Sequence, residues 1–155
     1  MRKLGWDALD VILVTGDSYI DSPFIGTAVI GKLLVNAGYR VGVIAQPDPS
    51  SDVEIGRLGE PTLFWGVTAG SIDSMVANYT ALKKKRHSDD YTPGGENTRR
   101  PDRATIVYAG LIRRFMNRQA REVREGNKKL GALRALIGSN PPIVLGGIEA
   151  SLRRV

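Results

Sequence analysis

The chain contains no cysteine and a single histidine, His87. Without thiols it can form no disulfide, no thiolate zinc site and no iron–sulfur cluster from its own residues. A metal site would have to be built from carboxylates, and no spacing of acidic residues indicates one, so we predict that no residue binds a metal. His87 stands among polar residues and is predicted to be an exposed loop residue rather than a ligand or base.

Long apolar runs are also missing. No segment approaches the ~18 consecutive apolar residues of a membrane-spanning helix, and the N-terminus lacks the apolar stretch of a secretory signal. The 155 residues are 42% hydrophobic and 25% charged, which is typical of a soluble globular domain. We therefore expect one cytoplasmic domain over 1–155, with no membrane partner.

The charge is unbalanced toward basic residues, with a formal net charge of +6. Lys83–Arg86, together with Arg99, Arg100 and Arg103, could form a phosphate-binding face, although cations at a helix C-terminus explain the cluster more simply. A free-standing nucleotide or nucleic-acid binding module is therefore the alternative function. It rests on this charge and on the basic segment Arg113–Arg134.

Alternating apolar patterns predict an α/β fold. Four runs rich in Val, Ile and Leu predict buried strands at Asp10–Val14, Arg40–Ile44, Thr62–Val67 and Ile143–Leu145. Helical periodicity predicts helices from Ile25 to Ala37 and over Ser51–Leu58, Ile72–Lys85 and Arg103–Arg118, with a loop at Ser88–Asp102 and a basic amphipathic stretch at Gln119–Ile137. Strand, helix and strand in succession favour a three-layer Rossmann-like domain with a mainly parallel sheet of about four strands.

Two nucleotide-binding motifs are absent. Gly26 and Lys32 have the spacing of a P-loop, but they lie within the predicted helix, and Leu33 stands where a P-loop has Ser or Thr. Gly26 and Gly31 are instead expected where the helix packs closely on the sheet or on a neighbour. Thr15-Gly16-Asp17 after the first strand carries one glycine rather than the three of a dinucleotide fingerprint, which argues against NAD.

Small and polar residues follow three of the predicted strands. Because parallel strands end at the same edge of a sheet, these turns should converge where ligands of open α/β sheets bind. Turn formation and helix capping would account for any one of them. The ligand-binding candidates are Thr15, Gly16, Asp17, Thr68, Ala69, Gly70, Gly146, Gly147 and Glu149.

Four segments together resemble the N-terminal region of YgiQ-type radical SAM proteins. The segments, which cover nearly the whole chain in order, are "LGWDALDVILVTGDSYIDSPFIGTAVIGKLLVNAGYRVGVIAQPD", "LFWGVTAGSIDSMVANYTALKKKRHSDDYTPGG", "RRPDRATIVYAGLIR" and "PIVLGGIEASLRR". The resemblance implies a Rossmann-like domain ahead of a radical SAM barrel, in which a three-cysteine motif binds a 4Fe-4S cluster and S-adenosylmethionine. The substrate of that family is unassigned.

The resemblance also implies what this chain does. The sequence ends at Val155 ahead of any cysteine motif, so we expect an accessory domain that is not catalytic alone and whose partner is its own downstream barrel. A more distant resemblance to cobalamin-binding domains implies an Asp-x-His-x-x-Gly ligand motif. Asp17-Ser18-Tyr19 has no imidazole, which argues against cobalamin.

Overall fold

A computed structural model describes residues 4–18, 25–126 and 140–152 as alternating strands and helices. The strands are β1 Val11–Thr15, β2 Val41–Ala45, β3 Phe64–Thr68 and β4 Ile143–Gly146. The helices are α1 Gly26–Asn36, α2 Val53–Gly56, α3 Ser74–Asn78, α4 Ala104–Gly126 and α5 Ile148–Leu152, with a 3-10 turn at Pro93–Gly95.

The four strands form one parallel sheet in the order β2-β1-β3-β4. Val11 lies opposite Val41 and Phe64, and Trp65 lies opposite Ile143. The predicted fold class and all four predicted strands are confirmed. Since every strand runs the same way, the turns that follow β1, β3 and β4 leave the sheet at one edge.

One face of the sheet, which we call the α4 face, carries the hydrophobic core. Its strand residues pack against α4 and α2, and the fully buried members include Ile12, Val14, Ile44, Trp65, Tyr108, Leu111, Ile112 and Ile55. The Trp65 and Phe115 rings meet edge to face with centroids 6.0 Å apart. Burial of each large apolar side chain contributes roughly 1.5–3 kcal/mol, so this face supplies much of the stability.

The opposite face, which we call the α1 face, is only partly covered by the described residues. Gly31 of α1 packs over β1 and β2, where an added Cβ would lie 3.7 Å from Leu13 Cδ1 and 4.0 Å from Val41 Cγ1. Among the described residues no atom lies within 4 Å of a Cβ added at Gly26, so there the prediction of close packing is wrong. Over β3 and β4 the face is open, and Val144 is 50% exposed.

The third helix is shorter than its sequence predicts. The Asp73 side chain accepts hydrogen bonds from the amides of Met75 and Val76 and so starts α3, but the predicted helix Ile72–Lys85 is wrong beyond Asn78. The Asn78 amide group donates to the Arg100 carbonyl and to Asp102, and Tyr79 is extended. Helix propensity in the lysine run is worth only tenths of a kcal/mol per residue, less than these buried hydrogen bonds.

Two other helices differ from their predicted lengths. α2 is a single turn within the predicted Ser51–Leu58, whereas α4 runs past Arg118 to Gly126. The first part of the basic stretch Gln119–Ile137 is therefore helical, and its remainder from 127 lies outside the described residues.

Candidate functional site

The turns after β1, β3 and β4 lie side by side at the carboxyl edge of the sheet. The Gly16 amide donates to the Thr68 carbonyl at 3.2 Å, which joins the first turn to the second. A Cβ added at Gly147 would lie 2.6 Å from Thr68 Oγ1, so the third turn packs on the same threonine. The predicted juxtaposition of these turns is present in the structure.

A buried arginine holds this edge together. The Arg100 guanidinium has no exposed side-chain surface and pairs with Asp17 at 3.0 Å and with Asp89 at 3.1 Å. It also donates to the Ala69 carbonyl at 2.7 Å. We call Asp17, Asp89 and Arg100 the arginine lock. It connects the turns after β1 and β3 to the loop that precedes α4.

Within the arginine lock, the electrostatics favour the charged forms of Arg100 and Asp89. Burial opposes the charge on Arg100, but hydrogen bonds and charge interactions with Asp89 and Asp17 leave its pKa raised. Burial likewise works to raise the pKa of Asp89, yet the hydrogen bonds from Thr92, the Tyr91 amide and Arg100 leave that pKa lowered. Two carboxylates and one guanidinium give the lock a net negative charge.

Residues 88–102, which we call the strap, cross the same edge. The Gln46 side-chain amide donates to the Gly16 carbonyl at 3.0 Å, to the Tyr91 carbonyl at 3.2 Å and to Thr92 Oγ1 at 2.7 Å. The Ser18 amide donates to the Tyr91 carbonyl at 2.9 Å. The strap is therefore bound to the turn after β1 and to Gln46 after β2, and these contacts fix the position of Tyr91.

Glu149 is buried and joins three helices. Its carboxylate accepts hydrogen bonds from the Ser74 amide at 2.8 Å, from the Ser74 hydroxyl and from the Thr105 amide at 2.9 Å. The Ser74 hydroxyl lies 3.1 Å from the Ala104 amide. Since Ser74 opens α3, Thr105 lies in the first turn of α4 and Glu149 belongs to α5, this carboxylate acts as a shared cap.

A cleft of about 790 Å³ opens beside this edge, on the uncovered part of the α1 face. Its floor includes Leu13, Gly66 and Val144, and its walls include Ile30 of α1 and Ile148 of α5. Thr68, Ser71 and Tyr91 give it a polar end. A volume of this size falls within the range of small-molecule sites, which are typically apolar with a few polar groups.

The sequence-based candidates divide into two groups. Those that line the cleft are Asp17, Thr68, Gly70, Gly146 and Gly147. Thr15, Ala69 and Glu149 are buried away from the lining, and an added Cβ at Gly16 would collide with the Ala69 carbonyl. The Asp17 carboxylate is engaged by Arg100 and by the amide and hydroxyl of Ser71, at 2.7 and 2.8 Å for the last two. Its role here is to organise the edge.

The proposed phosphate-binding face is wrong in one respect, because Arg100 is not on the surface. Burial in the arginine lock separates it from Arg99 and Arg103, which are exposed, as is the run Lys83–Arg86. Those surface cations lie outside the cleft lining. His87 is exposed, in agreement with its prediction.

Sequence reasoning named Arg100 only as a possible surface cation and missed its buried role, together with Asp89 and Gln46. Arg100 lies in a run of basic residues, and its partner Asp17 is 83 positions away, so no local pattern indicates the pair. Gln46 follows directly after β2 and has a positive φ of 44°, a backbone conformation that is rare outside glycine. A polar residue at the end of a predicted parallel strand is the one signal that could have identified it.

Within 4–18, 25–126 and 140–152, no three His, Cys, Asp or Glu side chains are grouped so that they could hold a metal ion. No helix in the same described ranges has both the length and the apolar character needed to cross a bilayer.

The fold and the site place the chain in the class of open, parallel-sheet α/β domains with a cleft at the carboxyl edge. Residues 1–123 match the family described as Radical SAM N-terminal, and the chain belongs to that family.

Curated relatives are named UPF0313 proteins. The chain is 56% identical over 154 residues to one from Thermotoga maritima, covering 99% of the chain and 23% of the relative. It is 48% identical to one from Fusobacterium nucleatum and 50% identical to one from Rhodopseudomonas palustris, covering all of the chain but 24% and 20% of those relatives. The chain thus spans about a fifth to a quarter of their length. No solved structure gives a significant match.

Proposed function

We propose that the chain is an accessory, non-catalytic α/β domain of a longer cytoplasmic radical SAM enzyme. In that enzyme the 4Fe-4S cluster and S-adenosylmethionine would be bound by a downstream barrel. The observation that carries the proposal is the match of residues 1–123 to the Radical SAM N-terminal family, together with relatives that are four to six times as long.

The residues of this chain do not fit an iron–sulfur cluster. Such a cluster needs several thiolates, and the sequence has no cysteine and one histidine. Cobalamin likewise has no support from the turn after β1, where Asp17 is engaged by Arg100 and Ser71. No catalytic step is therefore assigned to this domain.

The domain would contribute a ligand-binding edge. Its carboxyl edge carries a cleft, two glycine turns with positive φ at Gly70 and Gly147, and hydroxyl groups at Thr68 and Ser71. Ligands of parallel α/β sheets bind at this edge. We propose that the cleft helps to enclose the substrate of the parent enzyme. A nucleic-acid site has no comparable support, because the exposed cations among the described residues lie outside the cleft lining.

Anaerobic reconstitution with iron and sulfide tests whether the cluster is bound by the downstream barrel and not by this domain. The full-length Thermotoga maritima relative should take up one 4Fe-4S cluster per polypeptide, measured by iron and acid-labile sulfide assays and by electron paramagnetic resonance. The 155-residue chain, treated identically, should take up none, because it offers no thiolate ligand. Stoichiometric iron in the short chain, or none in the full-length relative, would contradict the proposal.

A further inference from the structure

We infer that the cleft binds an uncharged organic molecule with an apolar body and a hydroxyl or amide group at one end. The inference rests on the proposed role of this edge as a ligand site and adds the chemical class of the ligand. It is carried by the charges and surfaces of the lining residues.

The charge of the cleft differs from that of the whole chain. The chain carries +6, yet no Lys, Arg or His is found among the described residues that line the cleft. Among the lining residues that the structure describes, only Asp17 is charged, and it belongs to the arginine lock with its two carboxylates and one guanidinium. A phosphate, sulfonate or carboxylate would meet no cationic side chain of the described lining residues and would face a group of net negative charge.

The shape of the cleft accounts for the apolar body. The floor is open over Gly146 of β4, where an added Cβ would have no atom of the described residues within 4 Å. Over Gly66 of the adjacent strand β3 the floor is covered by Leu13, whose Cδ2 would lie 2.6 Å from an added Cβ. Leu13, Val144 and Ile30 supply apolar surface around this space. An aromatic or aliphatic body can therefore lie directly on β4 at Gly146, against the Leu13 side chain, and be desolvated there.

The polar end accounts for the hydroxyl or amide group. The Thr68 hydroxyl receives a hydrogen bond from the Gly70 amide at 3.2 Å and so keeps a proton to donate. Ser71 and Tyr91 also line the cleft, and the Ser71 hydroxyl, which donates to Asp17 at 2.8 Å, can still accept a hydrogen bond. Hydroxyls serve a neutral polar group well, and without a cation they are weak ligands for an anion.

Two fluorophores that differ in charge test the inference. N-phenyl-naphthylamine is uncharged, and anilinonaphthalene sulfonate has the same ring system with one sulfonate. Fluorescence titration of the chain should show saturable binding of the neutral probe at one site, and binding of the sulfonate should be weaker by about tenfold or more. Equal affinities would overturn the charge argument alone. Failure of both probes would overturn the ligand site itself.

Matched variants locate the probe. Ile30→Trp places a large ring in the cleft wall and should abolish binding, whereas Val29→Trp on the same helix, also exposed but outside the lining, should leave it unchanged. Gly146→Leu and Gly110→Leu form a second pair, because neither Cβ meets an atom within 4 Å and only Gly146 lines the cleft. If both cleft variants bind the probe as the unmodified chain does, the probe lies elsewhere and the inference is refuted. The inference is also refuted if sedimentation analysis shows that the chain forms a dimer and that dimer formation prevents the probe from binding.

Discussion

Arg100 has its whole guanidinium buried between Asp17 and Asp89. Arg100→Met would leave two buried carboxylates without their cationic partner, and breaking a buried ion pair costs about 3–5 kcal/mol. We expect the free energy of unfolding, measured with urea, to fall by that amount. Arg99→Met, at the exposed neighbouring position, should change it by less than about 0.5 kcal/mol. Equal effects of the two substitutions would show that the arginine lock is not stabilising.

The sequence predicts Glu149 as a ligand-binding residue, but in the structure its carboxylate is buried and caps the starts of α3 and α4. Glu149→Gln keeps the size of the side chain but turns an amide group toward donors from Ser74 and Thr105. We expect a loss of about 1.5–3 kcal/mol in the free energy of unfolding and faster hydrogen exchange at the Thr105 amide. Glu122→Gln on the exposed side of α4 is the control. Unchanged exchange at Thr105 would argue against the shared cap.

At the scale of elements, the turn after β3 approaches the turn after β1 too closely for a side chain. Gly70 has a φ of +109°, and a Cβ added there would lie 2.0 Å from Asp17 Oδ1. Gly59 has a φ of +78° with nothing within 4 Å. Gly59→Ala should therefore cost only the backbone strain of about 1–2 kcal/mol, and Gly70→Ala clearly more. Thermal unfolding of the Gly59→Ala and Gly70→Ala variants measures the difference in stability. Equal losses in the two variants would show that the turns after β1 and β3 are loosely packed.

Element prediction succeeded where local pattern determines structure. Asp10–Val14 and the other apolar runs became strands because β-branched and other large apolar residues between turn formers suit the strands of a parallel sheet. The helix prediction beyond Asn78 failed because the lysines that follow favour a helix only weakly. Asn78 itself donates hydrogen bonds to Arg100 and Asp102 at the far end of the strap. The convergence of the candidate turns follows from parallel topology, but the pairing of Asp17 with Arg100 depends on tertiary contacts that no local pattern contains.

For the whole molecule, lowered carboxyl pKa values link stability to pH. Hydrogen bonds from Arg40 hold the pKa of Asp10 well below its usual range, and the pKa values of Asp89 and Asp102 are lowered despite burial. A lowered folded-state pKa adds stability above the ordinary carboxyl value of about 3.9, and this is lost as the pH falls through the folded value. We expect the free energy of unfolding to hold steady from about pH 7 to about pH 5 and to decline below.

The same measurement on two neighbouring variants identifies the source of the decline. Asp89→Asn should lower stability at neutral pH and flatten the acid decline, because the titrating group is gone. Asp90→Asn, at an exposed position, should leave the profile as it is. A steep decline that persists unchanged in Asp89→Asn would mean that other carboxylates account for it.

The arginine lock also has a consequence for the order of folding. Arg100 and Asp17 are separated by 83 residues, and closing so long a loop before the sheet exists costs entropy that one ion pair does not recover. The contact also needs the turns after β1 and β3 already aligned, so we expect it to form after the rate-limiting barrier. Loss of Arg100 should then accelerate unfolding while leaving the refolding rate nearly unchanged. On this view the lock determines how long the folded domain persists rather than how quickly it is reached.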